Sequence, residues 1–166
     1  MNLIKGDITT LDLDCIVNAA NENLMPGGGV CGAIHQAAGK ELAVECKRIG
    51  HCGVGEARIT SGYDLKAKHV IHTVGPIWHG GEHGEDQYLF NCYKKSLLLS
   101  THHGIESIAF PNISTGIYGY PKESAAETAI AAIKQHQRSG RKLKEVIFCC
   151  FDEENFQLYD SLLNKN

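Results

Sequence analysis

Residues 15–39, CIVNAANENLMPGGGVCGAIHQAAG, carry a short apolar run, then three consecutive glycines, then a segment of small and apolar residues. The run CIVNAA predicts a buried strand, since a short continuous apolar segment suits a strand covered on both faces. The segment from about Val30 predicts a helix. Glycine lets backbone N–H groups turn outward, so the loop around Gly27, Gly28 and Gly29 can approach a ligand closely. This stretch therefore predicts a strand, a ligand-facing loop and a helix.

The same alternation continues on both sides of this stretch. Runs rich in apolar and β-branched residues predict further strands: NLIKG (2–6), EARITSGYDL (56–65), HVIHTVG (69–75), SIAFPNI (107–113) and EVIFCCF (145–151), the last as a central strand. Helices are expected over 40–49, over 85–103, from Pro121 to just before Gly140, and after a cap at Asp152. This alternation predicts an α/β domain with helices on both faces of a sheet.

Composition limits the classes of protein and of partner. A length of 166 residues predicts one domain over 1–166, with an ordinary 43% apolar and 21% charged residues. The net charge of −3 gives no electrostatic reason to bind nucleic acid, and the basic segment 138–144 is interpreted as a solvated loop. No apolar run reaches the roughly 18 residues of a membrane span. Seven cysteines without paired spacing, and no leader, predict a cytoplasmic protein with reduced thiols, expected to be monomeric.

Most residues with a candidate functional role lie in the turns that follow the predicted strands. Ligands bind at this position in such folds. Two of these turns are glycine-rich and lead into a helix: the loop before Val30, and the segment PNISTGIYGYP with Gly116 and Gly119. A helix N-terminus adds a positive partial charge beside the exposed N–H groups. Neither turn has a P-loop or dinucleotide fingerprint. Together they predict a clamp for two linked phosphates.

Four polar or aromatic residues have two interpretations each. Asp7, expected to be buried, can accept a hydrogen bond from an amino group such as that of adenine, or it can bond its own turn. Phe151 can stack on a base or pack in the core. Asn18 and Asn21 can cap a turn or hold a sugar hydroxyl. We assign the ligand role to Asn21, which lies nearer the glycines, and the capping role to Asn18.

Cys31 and His35 stand four residues apart and share a helix face. This spacing suits a metal pair or a thiol activated by imidazole, but no third ligand has an obvious position. His35 is better suited to bonding a loop or positioning water. The segment WHGGEHGED (78–86) also has metal-binding residue types, yet its glycines favour an exposed loop. We therefore expect neither a metal nor a cofactor.

Six segments occur in one order: KGDIT, VNAAN, GGGVCGAIHQAAG, GEARITSGYDL, VIHTVGP and AFPNISTGIYGYP. From residue 3 to about residue 163 the chain resembles macrodomains of the MacroD type. The resemblance implies a three-layer α/β/α fold with a mixed central sheet. It implies ADP-ribose, O-acetyl-ADP-ribose and mono-ADP-ribosylated proteins as partners. The implied activity is hydrolysis of ADP-ribosyl esters: removal of mono-ADP-ribose from acidic side chains and deacetylation of O-acetyl-ADP-ribose.

The resemblance also implies roles for individual residues. Asp7, with the backbone of Ile8, and Phe151 are placed at the adenine end. Asn21 is placed at the distal ribose. The two glycine-rich loops are expected to bind the diphosphate and distal ribose. The residues implied in this role are Gly28, Gly29, Val30, Ser114, Thr115, Gly116, Ile117 and Tyr118. The implied catalytic set is Asn21, Cys31 and His35.

Cys31 departs from the family pattern, which has an aspartate there to position or activate the attacking water. A free thiol has a pKa of about 8.5 and is a poor base at neutral pH. Three mechanisms remain: a ligand phosphate orients the water, Cys31 acts as base or nucleophile beside a protonated His35, or catalysis is lost. We favour the first. The third makes the protein a reader of ADP-ribose with little or no catalysis. Regulation through RNA is disfavoured by the net charge and the lack of a basic stripe.

Overall fold

The computed structural model of the protein describes residues 1–141 and 143–165, so Lys142 of the basic segment lies outside the described residues. Six strands form one sheet: β1 (Asn2–Lys5), β2 (Cys15–Ala19), β3 (Ala57–Ser61), β4 (His69–Thr73), β5 (Ser107–Phe110) and β6 (Glu145–Cys150). A short 3₁₀ helix spans Ile8–Thr10. The α-helices are α1 (Gly29–Ala38), α2 (Lys40–Ile49), α3 (Glu85–His102), α4 (Lys122–Arg138) and α5 (Glu153–Leu163). Within the described ranges, no helix is long and apolar enough to cross a bilayer.

The sheet is mixed, as the resemblance implied. Its strand order is β1-β6-β5-β2-β4-β3. All neighbours are parallel except the edge strand β3, which runs antiparallel to β4. β6 lies one place in from the edge, between β1 and β5, so β5 and β2 occupy the centre instead. Five parallel strands therefore present their carboxyl ends at one edge of the sheet.

Helices cover both faces of the sheet, because alternate residues of each strand point to opposite sides. In β2, Cys15 and Val17 join a core with residues of α3, α4 and α5, whereas Ile16 joins a second core with residues of α1 and α2. Each face of β2 is thus buried, which explains why its sequence is apolar on both faces rather than alternating, with Asn18 as its one polar residue. The three-layer α/β/α architecture is confirmed.

The observed helix ends follow the local capping chemistry closely. α2 spans the predicted residues, and α1 begins one residue earlier than expected, at Gly29. Pro121 immediately precedes α4 rather than forming its first residue, because its ψ of 126° is extended. Asp152 caps α5 as predicted, with a carboxylate oxygen accepting a hydrogen bond from the Asn155 N–H at 2.8 Å.

Glu85 organises the loop at the start of α3. Its buried carboxylate accepts hydrogen bonds from the backbone N–H groups of His79 (2.9 Å), Gly81 (2.8 Å) and His83 (2.6 Å). Burial raises the pKa of Glu85, but these donors outweigh it and bring the pKa down to about 2. The carboxylate of the HGGEHGED pattern therefore closes a loop. Among the described residues, no group of three metal-ligating side chains has suitable geometry.

We expect Glu85→Gln to lower the urea midpoint of unfolding at pH 7, because an amide satisfies fewer of these donors. Since the folded pKa lies below the ordinary glutamate value of 4.5, the carboxylate stabilises the fold above about pH 4.5. That contribution is lost as the pH falls towards 2. The difference in urea midpoint between Glu85→Gln and the wild type should therefore become smaller over this range. Glu82→Gln, on the exposed part of the same loop, is the control. A gap that stays constant from pH 7 to pH 2.5 would contradict this assignment.

Candidate functional site

A cavity of about 700 Å³ opens at the carboxyl edge of the sheet. Its walls come from the turns after β1, β2, β4, β5 and β6, because these parallel strands all end there. Every residue with a predicted ligand-binding role lies on this wall: Asp7, Ile8, Asn21, Gly28, Gly29, Val30, Ser114, Thr115, Gly116, Ile117, Tyr118 and Phe151. Folding thus brings together segments more than a hundred residues apart in sequence.

The first glycine-rich loop presents unused backbone donors to the cavity. α1 begins at Gly29, and its N-cap, Gly28, has no side chain to satisfy the first turn. Within the described chain, the N–H groups of Gly28, Gly29 and Val30 donate to no protein acceptor. Unpaired N–H groups at a helix start, with the positive end of the helix dipole behind them, form an anion-binding surface.

The second glycine-rich loop, residues 114–120, has the same property. Two hydrogen bonds close it, from Tyr120 N–H to the Ser114 carbonyl at 2.9 Å and from Gly119 N–H to the Gly116 carbonyl at 3.0 Å. The N–H groups between them, at 115–118, find no acceptor among the residues that the structure describes. The loop is thus folded on itself while several of its backbone dipoles stay available to a ligand.

Two further glycines hold these loops in place by allowing close contact. Gly75 packs directly on Ser114, so that a Cβ atom there would overlap the Ser114 hydroxyl and lie 2.6 Å from Ile113 Cγ2. A Cβ atom at Gly32 would overlap the Gly27 carbonyl oxygen. Ser114 itself adopts a left-handed backbone with φ of 67°, which is costly for a residue with a side chain. Both loops therefore depend on glycine at their points of contact.

The cavity wall carries little positive charge. Lys122 is the one cationic side chain among its described lining residues, and its ammonium group pairs with Glu154 at 2.6 Å. A diphosphate would therefore be neutralised mainly by backbone N–H groups and helix dipoles rather than by arginine or lysine.

Asp7 and Phe151 stand at one end of the cavity, where both are exposed. The prediction that Asp7 is buried is wrong. Its Oδ1 caps the short 3₁₀ helix, accepting from Thr9 N–H at 2.9 Å and from the Thr9 hydroxyl at 2.7 Å. Both bonds use the same oxygen, so Oδ2 remains for another donor. Phe151 is 80% exposed, which rules out core packing and leaves its ring free for contact with a ligand.

The roles of Asn21 and Asn18 differ from those predicted from the sequence. Asn21 lines the cavity, but its amide also closes the loop, accepting from Met25 N–H at 3.0 Å and donating to the Met25 carbonyl at 2.8 Å. Asn18 caps no turn; it is fully buried below the cavity. The turn-closing role therefore belongs to Asn21, and its contact with a sugar stays a prediction.

Cys31 lies on the cavity wall, and His35 does not. The thiol accepts from Asn18 Nδ2 at 3.7 Å and donates to the Met25 carbonyl at 3.6 Å, and within the described chain it makes no hydrogen bond with His35. His35 is only 8% exposed, and neither ring nitrogen has a partner among the described residues. Burial lowers the pKa of His35, so the ring is neutral at pH 7. The geometry therefore does not support the alternative in which a protonated imidazole activates the thiol.

The sequence analysis did not predict a ligand-binding role for several residues of the wall, namely Gly75, Lys122, Cys149, Asp152 and Asn155. A signal existed for Gly75, which ends the HTVGP turn after β4, and for Lys122, which follows the second glycine-rich loop directly. No local pattern marks the other three, since the ends of β6 and α5 reach the cavity only through sheet order.

Comparisons with known proteins agree with this architecture. Residues 17–129 match the model of the Macro domain family. An O-acetyl-ADP-ribose deacetylase of Cronobacter turicensis is 53% identical over 99% of this chain and 96% of its own length. The macrodomain of Oceanobacillus iheyensis, solved with ADP, superposes with a TM-score of 0.94 at 40% identity, covering 98% of this chain and 89% of that one.

A second solved structure matches nearly the whole of this chain. The Trypanosoma brucei macrodomain in complex with ADP-ribose has a TM-score of 0.91 and 40% identity, over 97% of this chain and 68% of that one. The family match spans more than half of the chain, and the relatives match it almost from end to end. The protein therefore belongs to the Macro domain family.

Proposed function

We propose that the protein binds ADP-ribose in this cavity and hydrolyses ADP-ribosyl esters there. The observation behind this proposal is that both glycine-rich loops line one cavity and carry backbone N–H groups with no acceptor among the described residues. The substrates are O-acetyl-ADP-ribose and proteins mono-ADP-ribosylated on acidic side chains. Support comes from relatives named O-acetyl-ADP-ribose deacetylase and from related structures solved with ADP or ADP-ribose.

The chemistry of the wall supports one order of the ligand's parts along the cavity. Adenine takes the open end, with its amino group donating to Asp7 Oδ2 and its face against Phe151. The diphosphate lies between the two glycine-rich loops, where unpaired N–H groups replace its hydration. The distal ribose then reaches the region of Asn21 and Cys31, close to the start of α1. In this order, each part of the ligand meets wall groups that can bind it.

Hydrolysis at the distal ribose relies on position and backbone dipoles rather than on a protein base. The Cys31 proton is engaged by the Met25 carbonyl, and His35 is neutral and off the wall. The ligand phosphate and the loop N–H groups are then the groups able to hold a water and stabilise developing negative charge. These contacts favour the water-orienting mechanism over attack by the thiol.

A reader of ADP-ribose with little catalysis is the alternative function. It is favoured by one observation: among the described wall residues of the segment 19–33, which the proposal places at the distal ribose, Cys31 has the only ionisable side chain. A water held without a general base reacts about 10²- to 10⁴-fold more slowly. The two functions share the same ligand and differ only in turnover.

Calorimetry with ADP-ribose, followed by turnover on the same sample, separates these outcomes. We expect saturable binding, then release of acetate from O-acetyl-ADP-ribose and of ADP-ribose from a protein modified on glutamate or aspartate. Gly53→Ala, remote from the cavity, is a control for folding. Binding without turnover would establish the reader, and no binding at saturating ADP-ribose would reject both functions.

Replacing Phe151 tests the placement of adenine. We expect Phe151→Ala to weaken ADP-ribose binding by about tenfold, since stacking of a base on an aromatic ring contributes roughly 1–3 kcal/mol. Thermal stability should change little, because the ring is 80% exposed. Phe151→Tyr keeps the aromatic face and should bind like the wild type, whereas Phe151→Leu keeps only apolar bulk and should not. Equal affinities for all three variants would show that adenine lies elsewhere.

A further inference from the structure

A row of buried polar side chains runs beneath the cavity, across three adjacent strands. Asn18 of β2 and His72 of β4 are register partners in neighbouring parallel strands, and both are fully buried. Thr60 of β3 lies on the other side of His72 and is also buried. Buried polar groups are costly unless they are paired, so such a row, which reaches from β2 through β4 to the edge strand β3, indicates a specific arrangement.

The hydrogen bonds along this row have a single consistent direction. Asn18 Nδ2 lies 3.1 Å from His72 Nδ1, and His72 Nε2 lies 3.0 Å from the Thr60 hydroxyl. With the Asn18 amide oriented so that Nδ2 faces the ring, the amide donates and Nδ1 is the unprotonated acceptor. The ring proton then resides on Nε2 and is donated to Thr60 Oγ1. The Thr60 proton in turn has the carbonyls of Ser61, at 3.1 Å, or Val70, at 3.5 Å, as acceptors.

His72 holds this form over the whole working range of pH. Burial, with a smaller effect from neighbouring His35, lowers the pKa of His72 to about 3. The ring is therefore neutral at neutral pH and carries one proton. The tautomer is set by its two partners, since Asn18 excludes a proton on Nδ1 and Thr60 accepts one from Nε2.

The row ends on the cavity wall. The second hydrogen of Asn18 Nδ2 points to Cys31 Sγ at 3.7 Å, and the Cys31 thiol donates to the Met25 carbonyl at 3.6 Å. The same carbonyl accepts from Asn21 Nδ2 at 2.8 Å. His72 is therefore linked through one amide to the thiol and to the loop that the proposed function places at the distal ribose.

We propose that His72 is a positioning residue, which orients the Asn18 amide and through it holds Cys31 and the loop 21–31 in the geometry that turnover needs. Thr60 supports this role by fixing the ring tautomer. His72 does not line the cavity, and Asn18 is the described hydrogen-bond partner that connects it to the cavity wall. The effect on rate rests on the proposed hydrolysis, whereas the tautomer and the loop geometry do not.

The tautomer can be measured without any assay of activity. In a sample labelled with ¹⁵N at histidine, we expect long-range ¹H–¹⁵N spectra at pH 7 to show His72 with its proton on Nε2. Thr60→Val, which keeps the shape of Thr60 and removes the hydroxyl, should weaken this preference. A wild-type ring protonated on Nδ1 would overturn the proposal, because Asn18 could not then donate to it.

Two conservative replacements of His72 separate positioning from packing. Asn places its amide oxygen near the former Nδ1 and keeps an acceptor for Asn18, whereas Gln reaches only towards the former Nε2. We expect His72→Asn to keep kcat within about threefold and His72→Gln to lower it by about tenfold, since small misplacements of reacting groups cost rates of this order. KM for O-acetyl-ADP-ribose should change little in either variant. Cys46→Ala, which removes a more distant neighbour of Nε2 at 3.8 Å, is the control.

Thermal melting of both variants completes the test. If His72 were only structural, the loss of kcat in each variant would follow its loss of melting temperature, and His72→Asn would have no advantage over His72→Gln. This result would overturn the proposal. If the wild type binds ADP-ribose but turns nothing over, the hydrolase function fails. The proposal is then judged from the tautomer and from alkylation of Cys31 measured by mass spectrometry. Faster labelling in His72→Gln than in His72→Asn supports it, and equal rates refute it.

Discussion

Replacement of Cys31 by aspartate is expected to raise turnover of O-acetyl-ADP-ribose by about 10²-fold, the usual contribution of a general base. A carboxylate at this point of the wall can accept a proton from the attacking water, whereas the thiol proton is held by the Met25 carbonyl. Asn18 Nδ2, which now donates to the sulfur, can donate to the carboxylate instead. Initial rates of acetate release at saturating substrate measure the effect.

Aspartate at position 31 also has an expected cost. A carboxylate has no proton to give to the Met25 carbonyl, so Asn21 alone would hold that part of the loop. We expect a lower melting temperature with ADP-ribose affinity nearly unchanged, since the diphosphate is held elsewhere on the wall.

Two matched variants at the same position distinguish a base from a nucleophile. Cys31→Asn has the shape of aspartate without its charge and should stay near the wild-type rate. Cys31→Ser keeps a donor for Met25 and should lose no more than a few-fold. A rate that collapses in Cys31→Ser would show instead that the sulfur attacks the ester. A rate for Cys31→Asp no higher than that for Cys31→Asn would show that a base is not the missing element.

Gly75→Ala should weaken ADP-ribose binding by about 10²-fold, because the displaced second loop would lose hydrogen bonds to the diphosphate, and a hydrogen bond to a charged group contributes about 1.5–3 kcal/mol. The added methyl group would overlap the Ser114 hydroxyl and come within 2.6 Å of Ile113 Cγ2. Since Ser114 begins the second glycine-rich loop, relief of the overlap must move that loop and its N–H groups. Overpacking of this kind also costs about 1–3 kcal/mol of stability. Calorimetry and urea unfolding measure the two effects.

A second substitution tests whether the loop is the cause. Ser114→Gly removes the overlapping atoms and suits the left-handed φ of 67° at that position. In the Gly75→Ala background it should restore most of the binding, leaving only the contact with Ile113. Gly53→Ala, where the new methyl group would lie in ordinary contact 3.5 Å from Glu56 Cγ, should match the wild type. Undiminished binding by Gly75→Ala would show that the loop need not keep its observed position.

The elements and the cavity wall were predictable because their signals are local. The apolar run of β2, the proline before α4 and the aspartate that caps α5 each act within a few residues, so sequence reasoning located them to within about one residue. The glycine-rich loops are equally local, since glycine permits exposed N–H groups wherever a strand leads into a helix. The residues with an expected ligand-binding role all lie on one wall for the further reason that parallel strands end at one edge.

The sequence by itself thus determined which backbone segments form strands, helices and donor-rich turns, because these depend on periodicity and on the stereochemistry of neighbouring residues. The tertiary structure alone decided how distant residues meet. It exposed Asp7, turned His35 away from the cavity, set Gly75 against Ser114 and placed His72 opposite Asn18 across two strands. Strand order and register fix such contacts, and these are settled by the packing of whole layers rather than by any short stretch of chain.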